Sequence, residues 1–268
     1  MTGLPAWLNG KLVTDPTLSA SDRGFLLGDG VFETMRTAGP TVLWLDDHLA
    51  RLRAGADLLG IPLNHNPNEI ADGLTALVGV AGFEHGALRL TLSRGPSAGR
   101  GLVPPAEPVP TLLATIAKLA PPVAPVSLVV AQSVRRNEGS PLSRTKSLNY
   151  GDNIVARREA IGRGADDAIL LNNRGLVTSA TVASLFLKLG GRWVTPPIAD
   201  GVLPGLARQR LIGLLGADEG SVQEAALGHV ESIMMSNSLG LSAALSLDGR
   251  ALSVEKFTDL SARLFGGS

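Results

Sequence analysis

Lys146 is the residue best placed for covalent chemistry. It stands in Ser143-Arg144-Thr145-Lys146-Ser147-Leu148-Asn149-Tyr150, between a strand-like apolar run and a helix-like run. Leu142 and Leu148 reduce its access to water and Arg144 adds a like charge; both effects favour the neutral amine over the ammonium. A neutral amine is a nucleophile, and with a carbonyl compound it forms a Schiff base. The plain alternative is a solvated lysine beside a turn. Arg51 lies three residues after His48, on the same face near the start of a helical pattern, where an arginine suits an anion. In Gly201-Val202-Leu203-Pro204-Gly205-Leu206-Ala207-Arg208, proline and glycine precede a helix start, and free N–H groups at such a start bind phosphate. The stretch from Ser21 to Arg36 carries Gly24, Gly28 and Gly30 but lacks both the Walker lysine and the dinucleotide spacing, so it is a weak phosphate loop.

Composition narrows what this chemistry serves. Hydrophobic residues make up 44% of the 268 residues and charged ones 18%, ordinary for a globular chain with a sizeable core. Twenty-four basic side chains balance twenty-four acidic ones, which leaves no field to hold nucleic acid or an anionic membrane, so a small-molecule partner is expected. Cysteine is absent, excluding disulfides and thiolate chemistry, and the four histidines have no metal-ligand spacing. No run approaches the roughly eighteen apolar residues of a membrane span, and Met1 to Gly10 lacks the charge and apolar core of a leader. A cytoplasmic protein is the expectation.

Positioning elements follow from periodicity and turn chemistry. Asn9-Gly10 sits between short apolar runs as a hairpin signal, and an alternating strand follows at Val31 to Arg36. Asp46 and Asp47 are read as caps of a helix striped by Leu49, Leu52, Ala56 and Leu59, with Gly60 and Pro62 as its stop. A second helix is expected over 69–80, strands over 87–92 and 111–116, and the polar loop Ser93-Arg94-Gly95-Pro96 could line a cleft. Pro121, Pro122 and Pro125 then break the pattern. We therefore divide the chain into an N-terminal domain, 1–118, a linker, 119–125, and a C-terminal domain, 126–268, that carries Lys146. The second half reads as a strand over 126–130, a helix over 153–161, strands over 168–171 and 176–178, a hairpin through Gly190-Gly191, the helix after Gly205, a strand pair closed by Asp248-Gly249, and a last helix over 255–264. Strands and helices mix without a βαβ repeat, so the fold class is α+β.

Taken together, Asp22-Arg23-Gly24, Gly28-Asp29-Gly30-Val31-Phe32-Glu33, His48-Leu49-Ala50-Arg51-Leu52, Thr145-Lys146-Ser147-Leu148-Asn149, Leu203 to Arg208 and Ser236-Asn237-Ser238-Leu239-Gly240 resemble the fold-type IV pyridoxal phosphate enzymes, the class IV aminotransferases. Each motif is short; their order along nearly the whole chain is specific. The resemblance implies a two-domain, D-amino-acid aminotransferase-like fold, a homodimer and pyridoxal 5'-phosphate. It makes Lys146 the Schiff-base residue and proton carrier, and gives the cofactor phosphate to Arg51, the N–H groups of Leu206 and Ala207, Asn237 and Ser238. Ala207 replaces the usual threonine and so lacks one hydroxyl. Tyr150 corresponds loosely to a tyrosine aimed at the cofactor's ring oxygen. Phe32 and Arg94 fall where members contact substrate, and Arg94 matches a position that binds the substrate carboxylate in some D-amino-acid members.

One departure is chemical. Most members carry glutamate at Ser179 and asparagine at Ser184, and that glutamate keeps the pyridine nitrogen protonated and the ring a strong electron sink. Within the family, Val31 to Arg36, Lys146-Ser147-Leu148-Asn149 and Ser236 to Leu239 look most like the 4-amino-4-deoxychorismate lyases, which make 4-aminobenzoate for folate. D-amino-acid and branched-chain aminotransferases are the alternatives, with a non-catalytic pyridoxal phosphate-binding paralogue as a further one. D-amino-acid members usually place tyrosine at Phe32, and branched-chain members have a longer lysine-to-asparagine spacing.

Overall fold

The Asn-Gly pair turns the chain as expected. In the computed structural model, which describes residues 3–99, 101–121 and 124–266, Asn9 and Gly10 take φ of 47° and 88°. Two consecutive left-handed residues match the twist of flanking strands, and they join β1 (Pro5–Leu8) to β2 (Lys11–Thr14). Pro122 and Val123 of the expected linker lie outside the described residues. The chain packs as two units: residues 3–120 with Lys146–Asn149, and residues 121–145 with 150–266.

The first unit continues with α1 (Arg23–Leu27), β3 (Gly30–Ala38), β4 (Thr41–Val42), α2 (Leu45–Leu59), α3 (Pro67–Ala81), β5 (His85–Ser93) and β6 (Thr111–Lys118). Six antiparallel strands line up as β2-β1-β6-β5-β3-β4. Alternation along β3 and β5 sends Val31, Met35, Leu88, Leu90 and Leu92 to one face, where they pack on Leu49, Leu52 and Ala56 of α2 and on Ile70, Leu74 and Leu77 of α3. Residues of the other parity, Phe32, Thr34 and Arg36 with Ala87, Arg89 and Thr91, occupy the opposite face. The glycine-punctuated stretch contains the short helix α1, whose five residues are too few to show a helical stripe in the sequence. Asp22 caps it by accepting from Gly24 N–H, and Gly28 ends it at φ 65°. Asp46 and Asp47 lie inside the first turn of α2 and the cap position is Trp44, at φ 55° with no side-chain cap bond. The two aspartates thus act on the helix dipole, not on its free N–H groups.

Lys146–Asn149 belongs to this first unit through main-chain bonds. Phe32 N–H donates to Lys146 carbonyl at 2.9 Å and Leu148 N–H to Gly30 carbonyl at 2.9 Å, with Val31 and Ser147 paired antiparallel. The segment lies along the start of β3, on the edge that β4 does not reach, because β4 pairs only with Thr37 and Ala38.

The second unit comprises β7 (Val126–Val130), α4 (Gly151–Gly162), β8 (Asp167–Leu171), β9 (Val177–Ala180), β10 (Ser184–Leu189), β11 (Arg192–Thr195), α5 (Leu206–Leu215), β12 (Asp218–Glu219), β13 (Ser232–Asn237), β14 (Gly240–Leu247), β15 (Arg250–Ala251) and α6 (Thr258–Phe265). Its strands run β12-β11-β10-β13-β14-β7-β8-β9, and β9 also pairs with β10, so six of them close into a ring. Closure removes the exposed edges an open sheet would leave. Leu128, Ile169, Val177, Leu185, Leu187, Ile233 and Met235 fill the inside. Outside, Ala156 and Ala160 of α4 pack on Val129, Ala168 and Leu170. Strand β13 escaped the sequence reading because Ser232 to Ser236 are all buried, and a strand covered on both faces shows no alternation.

Candidate active site

Lys146 is half-buried, and its Nζ lies 4.3 Å from the centre of the Phe32 ring. The Arg89 guanidinium stands 3.7 Å from the same centre, so one aromatic side chain is shared by Lys146 and Arg89. Arg89 Nε donates to Thr91 Oγ1 at 3.2 Å, which further fixes its plane. On the adjacent strand Thr34 pairs with Arg89 and Arg36 with Ala87, placing Arg36 diagonally beside Arg89 on the same face. The neighbours that sequence gave Lys146 contribute little cover, since Leu142 and Arg144 are exposed. Its setting is Phe32 and the start of β3.

On the helix-covered face, fully buried Glu33 receives both ends of the Arg51 guanidinium. Arg51 Nε donates to Oε1 at 2.8 Å and NH2 to Oε2 at 2.6 Å. His48 Nδ1 lies 2.6 Å from Oε2. Burial by itself would raise the Glu33 pKa, but the bonds from Arg51 and His48 outweigh it and hold the carboxyl below its ordinary value. For His48, burial comes first and lowers the pKa; Glu33 opposes this, while Arg51 and Lys146 reinforce it. The imidazole is therefore neutral, donates Nδ1–H to Glu33, and keeps Nε2 buried without a partner.

Arg94 has a different place from the one expected. Its side chain is buried; Nε and NH2 donate to Asp29 at 2.7 and 3.1 Å, and NH1 and NH2 donate to the Gly60 and Leu59 carbonyls at 2.7 and 2.6 Å. Arg94 thus closes the C-terminus of α2, its donors turned to backbone and Asp29. Burial alone would raise the Asp29 pKa, but Arg94 and Arg23 hold it below its ordinary value.

In the second unit, Leu206 and Ala207 are buried at the start of α5, whose cap residue Gly205 offers no side-chain bond, so the first N–H groups have no side-chain cap. A side chain at Gly205 would come within 2.9 Å of Ser184 Oγ, which explains the glycine. Register sets Ser179 opposite Ser184 and Ser184 opposite Ser236, a row of three hydroxyls on one face. Ser236 Oγ is buried with no partner. Asn237 Oδ1 accepts from Leu239 and Gly240 N–H at 2.9 and 3.3 Å, so its amide shapes the turn that holds half-buried Ser238. Tyr150 is half-buried at the cap position of α4. Burial lowers the Arg136 pKa, opposed by Tyr150 and Asp152. No cluster of histidine and acidic side chains able to hold a metal exists among the described residues, and none of their helices is long and apolar enough to cross a membrane.

Sequence reasoning did not single out Glu33, Arg36, Arg89 or Ser236. Only strand parity could have flagged the arginines, as charges at alternate positions of two strands.

Known proteins bear on this geometry. The family model for amino-transferase class IV matches residues 30–246. Aminodeoxychorismate lyase of Bacillus subtilis is 31% identical over 211 residues, 77% of this chain and 72% of that protein. D-alanine aminotransferase of Bacillus licheniformis is 29% identical over 217 residues, 77% of this chain and 73% of that one. Among solved structures, 4-amino-4-deoxychorismate lyase from Pseudomonas aeruginosa superposes with a TM-score of 0.81 at 27% identity, covering 96% of this chain and 97% of that one. The two-sheet α+β architecture is that of this group. The chain belongs to the class IV aminotransferases, enzymes that work with pyridoxal 5'-phosphate.

Proposed function

We propose that the protein is a 4-amino-4-deoxychorismate lyase, forming 4-aminobenzoate and pyruvate for folate biosynthesis. The observation that carries this reading is the pair Arg36 and Arg89 on the sheet face where Lys146 meets Phe32. Aminodeoxychorismate has two carboxylates, and two arginines on one face match two anions. A branched-chain amino acid has one carboxylate and an apolar tail, which such a face fits poorly.

The side chains present suit the cofactor. The uncapped start of α5 at Leu206 and Ala207, the orphan hydroxyl of Ser236, Asn237 and Ser238 in the adjoining turn, and Arg51 are the groups we assign to its phosphate. Tyr150 is assigned to its ring oxygen, and Ser179 to its pyridine nitrogen. When bound, pyridoxal phosphate supplies an electron sink next to the amino carbon of the substrate. Lys146 offers its amine for the covalent linkage and afterwards takes the proton from that carbon. Phe32 walls this amine, Arg89 and Arg36 hold the carboxylates, and Ser179 can donate a hydrogen bond but cannot keep a proton on nitrogen as a carboxylate does. Elimination tolerates a weak sink. The carbon–oxygen bond to the enolpyruvyl group breaks as the ring becomes aromatic, and the departing enol takes a proton on carbon to become pyruvate. One proton changes carbon and no keto-acid acceptor is consumed.

The deciding experiment supplies aminodeoxychorismate without a keto acid and, separately, D- and L-amino acids with 2-oxoglutarate. 4-Aminobenzoate and pyruvate should form in the first and transamination should be slow in the second. Rapid transamination with aminodeoxychorismate untouched overturns the lyase reading in favour of a transaminase for acidic D-amino acids, which the two arginines also suit. The proposal includes a cytoplasmic homodimer, whose mass sedimentation would measure.

A further inference from the structure

His48 carries a cost that a packing role leaves unexplained. Its ring is fully buried and stacked at 6.5 Å on Trp44, a place an apolar ring would fill, yet Nε2 is left without a partner. A buried acceptor left without a partner is destabilising. The compensating contact is Nδ1 to Glu33 Oε2 at 2.6 Å. Glu33 also receives Arg51 in the two-pronged arrangement of 2.8 and 2.6 Å. A carboxylate gripped by a guanidinium on one side can still rotate about its own axis; a third donor on Oε2 fixes its plane and so the plane of the guanidinium.

We propose that His48, acting through Glu33, is the positioning residue for the hold of Arg51 on the cofactor phosphate. This rests on the assignment of Arg51 made above. His48 is neutral, so replacing it leaves the charge around Arg51 unaltered, and any change in phosphate affinity reports on orientation. Burying a phenyl ring there also removes the orphan nitrogen, so His48→Phe should fold. His48→Gln is the companion variant, with an amide N–H able to reach Glu33.

The test titrates purified protein, freed of cofactor, with pyridoxal 5'-phosphate and in parallel with pyridoxal, which lacks the phosphate. His48→Phe should weaken binding of the phosphate form roughly tenfold, the loss of about one charge-assisted contact, and leave pyridoxal binding unchanged. His48→Gln should recover part of the loss, and His48→Phe added to Arg51→Ala should cost nothing further. Equal weakening of both ligands, no weakening, or an additive loss in the double variant overturns the proposal. Arg51→Ala alone with unchanged affinity for the phosphate form refutes instead the underlying assignment of Arg51, and this proposal with it.

Discussion

At the scale of single residues, chemistry at Lys146 depends on which groups share its face. Lys146→Ala should lose the linkage to cofactor that borohydride reduces; a variant still labelled covalently moves the linkage to another lysine. Under the proposed assignment Arg51 would meet the cofactor's dianionic phosphate, and charge-assisted bonds are worth about 1.5–3 kcal/mol each, so Arg51→Ala should weaken cofactor binding roughly ten- to a hundredfold by titration. Arg89 is stacked on Phe32 and tied to Thr91, and the proposed function has it hold a substrate carboxylate. Arg89→Ala should therefore raise KM for a dicarboxylate substrate about tenfold or more with little change in kcat. A fall in kcat at constant KM would take Arg89 out of ground-state binding. Ser179→Glu restores the carboxylate usual in the family, and should raise the half-reaction with amino acids more than elimination, as read by single-turnover absorbance.

At the scale of elements, the arginines owe their meeting to strand parity, and the parity is enforced by the core behind the sheet. One residue of slippage of β3 would send Phe32 into the leucines of α2 and α3, and the same slip of β5 would send Arg89 there. The helices in turn are held by their ends. Asn66 and Glu69 exchange side-chain and backbone bonds at 2.9 Å in both directions at the start of α3, with Pro67 as the first helical residue. Asn66→Ala should cost about 1 kcal/mol and lower the unfolding midpoint by about 2–4 °C in calorimetry. Gly95 is less forgiving: at φ 84° a β-carbon would fall 1.8 Å from the Val109 carbonyl oxygen, so the loop after Arg94 closes only on glycine.

At the scale of the whole molecule, the chain crosses between units more than once. Lys146–Asn149 is bonded along β3 although it follows the proline-rich stretch. Acid should loosen the second unit through Glu159. Burial alone would raise its carboxyl, but Ser133 hydroxyl, the N–H groups of Ser133 and Gln132, and Arg163 bring it down to about 2 from 4.5. A depressed carboxyl stabilises the fold above its unfolded pKa. That contribution should be lost as pH falls from about 4.5 towards 2, and Glu159→Gln should flatten the acid limb of a stability curve.

Lys146, Arg51 and the start of α5 could be singled out from sequence as candidates because each depends on neighbours a few residues away: a lysine beside a turn, an arginine near the first turns of a helix, a proline and glycine before a start. The α+β class and most elements followed from the same local periodicities. The bonds of Arg94 to Asp29, 65 residues earlier, could not be read locally, and Glu33 looked like a strand residue until α2 brought His48 and Arg51 over it. The row Ser179, Ser184, Ser236 exists only once β10 pairs with both β9 and β13. Local hydrogen bonding and hydrophobic period are written along the chain, whereas strand register and ring closure are settled by burial of the core between distant segments, and those decided which charges stand together.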